Sequence, residues 1–274
     1  MAQSTTTPSV STISTPARLS GLDKALLVLP MLGGLLGLFP LLNAPLFAQV
    51  TNYPPDDILI YWLTGAGTLG YGVALALALR ENTWASVRIL MIAVLTSNLL
   101  SAIACLIEIL QGRTADRPAL YAVLVAFALN VLISVYLLAR HRGAPRPERD
   151  TARWVLYFLI FAIAAALGTG MLGYFAVDVF KPVFGLNAVN PLIYRLLGAA
   201  TIGYGIAGMY EARSMRFDEI RLSLLMGAFF NICAIILGIL SLVSGLPPLL
   251  PITLLFAPVI LTIGNILAYL RQGK

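Results

Sequence analysis

The sequence predicts an all-α integral membrane protein with eight transmembrane helices, arranged as two parallel tandem four-helix repeats. Three observations predict it. Hydrophobic residues make up 59% and charged residues 11% of the chain, with a mean hydropathy of +0.89, against roughly 45–50% and about 25% in soluble domains. Eight apolar runs are each long enough to cross a hydrocarbon core, which takes about 20 residues of helix. Finally, LIYWLTGAGTLGYGVALALALR from Leu59 to Arg80 recurs 133 residues later, from Leu192 to Arg213, as LIYRLLGAATIGYGIAGMYEAR. Without a gap, Tyr61 falls on Tyr194, Gly65 on Gly198, Thr68 on Thr201, and the triplet Gly70, Tyr71, Gly72 on Gly203, Tyr204, Gly205. The same register pairs Gly37 with Gly170, Phe47 with Phe180, Arg88 with Arg221 and Asn98 with Asn231, so one unit is written twice.

In chain order, residues 1–22 are rich in Ser, Thr and Pro and lack the apolar centre of a secretory signal, so they read as a disordered polar tail. The first repeat is expected over 23–140, a basic linker over 141–153 and the second repeat over 154–274. The spans are placed at 25–47, 57–79, 88–110, 119–139, 154–177, 191–211, 221–244 and 251–270. They must be helices, because a backbone in lipid satisfies itself only as a helix or a closed barrel, and these runs lack a barrel's alternation. Span one carries Pro30, Gly33, Gly34, Gly37, Pro40, Asn43 and Pro45 and is expected to bend or break; span eight carries Pro258.

The loops set the orientation. Arg18, Lys24, Arg80, Arg88, Arg140, Arg142, Arg146, Arg149, Arg153, Arg213, Arg216, Arg221, Arg271 and Lys274 fall on one side, whereas Arg113, Arg117 and Lys181 fall on the other beside Asp56, Asp57, Asp116 and Asp178. The basic side is expected to be cytoplasmic, and with it both termini. Four spans per repeat return the chain to its starting side. The repeats are therefore expected to be parallel, related by a pseudo-two-fold axis along the membrane normal, as two four-helix bundles side by side.

GAGTLG, from Gly65 to Gly70, matches the dinucleotide fingerprint by letter, but it lies within a membrane helix and its copy reads GAATIG. Close helix packing is the better reading, through Ala66, Gly70 and Ala74 and their counterparts Ala199, Gly203 and Ala207. Thr68, Tyr71 and Asn98, with Thr201, Tyr204 and Asn231, are polar in both copies at membrane depth and need partners. Interhelical bonds from span three to span two, and from span seven to span six, would supply them; the sharper alternative is a cavity at the seam between the repeats. Arg195, whose counterpart is Trp62, breaks the symmetry. It can snorkel to lipid phosphate, pair with Asp178, or reach Glu108 in the other half, and it is where an anionic ligand or partner is first to be sought.

The rest is exclusion. The chain has one histidine, His141, which is placed in the linker, so no histidine metal site or His-dependent triad is expected. No Asp, Glu or Lys is placed at mid-bilayer depth, and no phosphate-gripping motif occurs. Neither an enzyme, a cofactor nor a nucleic-acid partner is expected. Cys105 and Cys233 lie inside apolar runs and read as packing residues. Each half, with its Gly-Ala-rich second helix, resembles the small four-span membrane proteins of bacteria, which implies a bacterial cytoplasmic membrane. The expected function is a scaffold or accessory component, in contact with lipid and with protein partners or further copies of itself; the alternative is a transporter or binder of a small amphipathic molecule at the seam.

The orientation is open to direct test. With Cys105 and Cys233 replaced by Ser, Asp57→Cys and Lys181→Cys should react with an impermeant thiol reagent in intact cells and Arg146→Cys should not. Labelling at 146 would reverse the topology.

Overall fold

The structure is a computed structural model that describes residues 17–51, 57–112, 118–144, 149–186, 191–246 and 248–272. Among these residues are eleven helices and no strand: α1 Gly21–Leu35, α2 Leu38–Leu42, α3 Ala44–Thr51, α4 Ile58–Glu81, α5 Trp84–Leu110, α6 Pro118–Arg140, α7 Arg153–Phe175, α8 Val177–Phe184, α9 Leu192–Ser214, α10 Phe217–Val243 and α11 Leu249–Gln272. Eight units are long and apolar enough to cross a membrane, with α1 and α2 counting as one. The chain is a multi-pass integral membrane protein. Asp56, Arg113, Asp116, Arg117, Arg146 and Lys274, part of the charge asymmetry, lie outside the described residues, as does 1–16 of the expected tail.

The remainder of that tail is built into the fold. Trp84 N–H donates to the Ala17 carbonyl at 2.8 Å and Leu19 N–H to the Asn82 carbonyl at 3.3 Å, and Leu19 is buried. Ser20 then caps α1: its hydroxyl accepts from Asp23 N–H, and the Asp23 carboxylate accepts from Ser20 N–H, satisfying donors that a helix start leaves bare. Asp23 is itself buried, 3.4 Å from the Arg140 guanidinium and 3.2 Å from His141. His141 is therefore no free linker residue. It continues past the end of α6 and stacks on Trp84 with ring centroids 4.3 Å apart.

Span one breaks, as its Pro and Gly content leads one to expect. The α-helix ends at Leu35, resumes as α2 at Leu38 and breaks again at Asn43 before α3. Pro30 and Pro258, by contrast, sit inside uninterrupted helices. The first break lies where span one meets α4 backbone to backbone. A Cβ at Gly65 would stand 2.6 Å from the Gly37 carbonyl oxygen, and one at Gly72 2.5 Å from Leu35 N. The second repeat does the same between α9 and α7, where a Cβ at Gly198 would lie 2.7 Å from the Gly170 carbonyl oxygen. The close crossing thus uses Gly65 and Gly198, not the expected Ala66–Gly70–Ala74 face; Gly70 has another role, described below.

The spans do not segregate into two bundles standing side by side. α4 packs on α1 and α2 within its half but on α10 across the seam, and α5 packs on α6 within its half but on α9 across it. Over their most apolar stretches α4, α5 and α9 are 78%, 56% and 61% buried, against 17% for α6 and α7, so the former make the centre and the latter the rim. The two halves interlock because the small-residue faces of α4 and α9 are already occupied by spans one and five. Their other faces are left for the opposite half.

Gly65→Ala and Gly198→Ala each drive a methyl into a backbone carbonyl that has no side chain to move aside. Each should lower unfolding stability in detergent by about 1–3 kcal/mol. Gly67→Ala, whose added carbon meets neighbours at an ordinary 3.6 Å, should stay within about 0.5 kcal/mol of the parent.

Candidate functional site

The seam at the centre is closed by two tyrosines. Tyr71 Oη donates to the Ala200 carbonyl at 2.7 Å, and Tyr204 Oη donates to the Gly67 carbonyl at 3.0 Å. Their rings lie 4.8 Å apart, centroid to centroid. A side chain at Gly70 would collide with the Tyr204 hydroxyl, and a Cβ at Gly203 would lie 2.5 Å from that of Tyr71. The repeated Gly-Tyr-Gly therefore has a physical reading: each tyrosine needs the other copy's glycine beside its hydroxyl. The cavity described below is lined by Tyr204 and Asn231 but not by Tyr71 or Asn98.

The other paired polar residues are satisfied differently from expectation. Thr68 and Thr201 donate to Thr64 and Leu197, the carbonyls one turn back in their own helices. Asn98 Nδ2 likewise donates to the Val94 carbonyl at 2.8 Å, and its Oδ1 accepts from Asn130 on α6 at 3.0 Å, so its interhelical partner is on span four, not span two. Asn231 Nδ2 donates back to the Gly227 carbonyl at 2.7 Å.

A cavity of about 190 Å³ opens instead inside the second repeat, between α7, α9, α10 and α11. Its origin is readable against the first repeat. Gly208, Ser223 and Gly227 line it where the first repeat carries Leu75, Leu90 and Val94, all buried. On α11, Thr253 and Ala257 stand where α6 has Leu120 and Leu124. Spans five and eight share a small contact at which the Phe158 ring lies against Gly264, and exposed Thr169 on the rim marks the side open to lipid.

Polar groups line the cavity toward the end where α9 finishes. Glu211 is 5% exposed and accepts a hydrogen bond from the Ser223 hydroxyl. Asn265 is 7% exposed, and its side chain makes no hydrogen bond among the described residues. Tyr204, Thr201 and Asn231 follow at mid-depth, and the opposite end is apolar, closed by Phe180, Phe184 and Leu250. Such a wall can hold a polar head by hydrogen bonding and a hydrocarbon body by contact. Thr201, Tyr204 and Asn231 thus border it, whereas Thr68, Tyr71 and Asn98 do not. Sequence reasoning missed Glu211 because ending span six at 211 made it a boundary residue; the helix runs on to Ser214. Comparison of the repeats at their mismatches would have found it, since its counterpart is Ala78.

Arg195 reaches across the seam. Its Nη1 lies 3.1 Å from Glu108 Oε1 on α5, with the Glu108 side chain fully buried. Asp178 is fully exposed and sits 4.0 Å from Lys181 instead. Among the described residues, no group of three or more His, Cys, Asp or Glu gathers to hold a metal ion. Glu108→Gln and Arg195→Gln should each destabilise the protein in a denaturant titration. The double change should cost less than their sum by about 1–3 kcal/mol; additive losses would deny the coupling.

In comparison with known proteins the chain matches no family model, no curated protein and no solved structure.

Proposed function

We propose that this chain is a non-enzymatic membrane protein that binds an amphipathic molecule in the cleft of its second repeat, admitting it sideways from the bilayer. The observation that carries this is the set of paired positions at which a buried apolar residue of the first repeat is replaced by a small or polar one: Gly208 for Leu75, Ser223 for Leu90, Gly227 for Val94. A cavity that merely reflected loose packing would not also gather a buried carboxylic acid and an unpaired amide, since such groups are costly in an apolar surround without a partner. Engineered apolar cavities of about 150 Å³ hold a benzene ring, so about 190 Å³ admits part of a chain or a ring system with the remainder in lipid.

The pseudo-two-fold relation along the membrane normal belongs to this proposal. It is supported by the reciprocal bonds Tyr71 to Ala200 and Tyr204 to Gly67, which exchange under the offset of 133 residues. Placement of both termini on the cytoplasmic side is supported by the distribution of Lys and Arg, and a bacterial cytoplasmic membrane belongs to this proposal through the resemblance of each half to small four-span bacterial proteins. The scaffold reading keeps one supporting observation, the stacked tyrosine rings at the seam, which suit a rigid surface for a protein partner or a second copy.

Thr253→Leu combined with Ala257→Leu restores the first repeat's side chains and fills the cleft from α11. Mass spectrometry of small molecules that copurify from native membranes should find an amphiphile on the parent and about tenfold less on this variant, at equal folded yield. An unchanged complement of bound molecules would sink the reading and leave the scaffold role.

A further inference from the structure

The cleft carries one carboxyl side chain, and its position implies the chemistry of the head group. Glu211 stands one helical turn before the end of α9 at the polar end of the cavity, 5% exposed. Among the described residues no Lys, Arg or His lies within ion-pair distance of it, although Arg88 on α5, Arg195 on α9 and Arg221 on α10 all have carboxylate partners. Its one protein partner is the hydroxyl of Ser223, a residue that replaces a buried leucine of the first repeat just as Glu211 replaces Ala78. The nearby Glu219 is accounted for otherwise, by Arg88 at 3.1 Å and by the Ser214 hydroxyl at 2.5 Å. Asn265, next along the wall against Gly227, also replaces a leucine, Leu132, and also faces the cavity without a partner. A carboxyl group buried in an apolar wall either keeps its proton or is matched by a cation, and among the described residues the protein supplies no cation here.

We propose that the ligand is a cationic amphiphile whose ammonium group binds at Glu211 and is oriented by Ser223 and Asn265, while its hydrocarbon lies along the cleft toward Phe180 and Leu250. Between Glu211 and Leu197, the lining residues of α9 run for about 21 Å at 1.5 Å per residue, enough for an extended alkyl chain. The polarity of the wall fixes the direction: carboxylate, hydroxyl and amide at one end, aromatic and aliphatic side chains at the other. An anionic head is disfavoured by the same carboxylate. A neutral head offers it a hydrogen bond but no counter-charge.

This inference rests on the cleft being a binding site, and one experiment separates the two. The full-length protein in nanodiscs of zwitterionic phosphatidylcholine is equilibrated with dodecylamine, dodecanol or dodecanoate. Bound ligand is quantified by mass spectrometry after subtracting the partition into empty discs. Dodecylamine should be retained over dodecanol by about tenfold or more, the scale of one charge-assisted hydrogen bond, and dodecanoate should be retained least. Glu211→Gln should remove that preference while leaving dodecanol within about twofold of the parent, and Glu211→Asp should keep it. Equal retention of amine and alcohol above empty discs would overturn the cationic head and leave the cleft a binder. A preference for dodecanoate, or an amine preference that survives Glu211→Gln in protein of unchanged Tm, would also overturn it. No retention of any of the three would remove both readings. The comparison among ligands on the parent protein decides the matter even if Glu211→Gln does not fold.

Discussion

Two phenol hydroxyls near the middle of α4 and α9 hold this architecture in register. In hydrocarbon a hydroxyl without an acceptor costs several kcal/mol, and the acceptors to hand are helix carbonyls that already serve their own helix. Tyr71 and Tyr204 each take one from the opposite repeat, at Ala200 and Gly67. The net gain of such a bond between membrane helices averages only about 0.6 kcal/mol, so the pair acts through geometry more than through strength. A slip of one residue between α4 and α9 would carry both hydroxyls away from these acceptors. Gly70 and Gly203 follow from this constraint, because any Cβ there meets the partner hydroxyl. The remaining helices then pack on a centre whose alignment is set.

Charge completes the interlock at the ends. Arg88 near the start of α5 pairs with Glu219, and Glu108 near its other end pairs with Arg195. One helix of the first repeat is thereby pinned to the second repeat at two points about 30 Å apart along its axis. Arg221, the counterpart of Arg88, reaches back to Glu81 at 3.0 Å. The ion pairs cross the seam because the within-repeat faces of α4 and α9 are consumed by glycine-mediated contact with spans one and five, where no long side chain fits.

The recurrence within the sequence offers its own control. Where both copies need the same thing, as at Gly65 with Gly198 or Tyr71 with Tyr204, the residue is the same and the reason is packing. Where the copies part, one side is filled and the other hollow: Leu75, Leu90 and Val94 close the first repeat, and Gly208, Ser223 and Gly227 open the second. The hollow also collects polar groups that the filled side lacks. Identity between the repeats thus marks the scaffold, and divergence marks the candidate site.

The sequence by itself determined the parts that depend on local composition. Apolar length decides that a segment crosses the bilayer, and Gly34, Gly37, Pro40, Asn43 and Pro45 decide that span one cannot remain a single helix. The recurrence of Gly-Tyr-Gly also stands in the sequence, though its purpose does not. Which helix faces which was decided only in three dimensions, because a helix that is apolar all round carries no stripe to say which side meets protein and which meets lipid. That is why Asn98 turned out to bond Asn130 on span four, why Tyr71 reached the opposite half, and why His141, read as a linker residue, came to lie against Trp84 and Asp23. Glu211 shows the same limit most sharply. A glutamate at the end of an apolar run reads as a boundary marker, and only the neighbouring helices, which here carry glycine and serine where the other repeat has valine and leucine, turn it into the wall of a cavity.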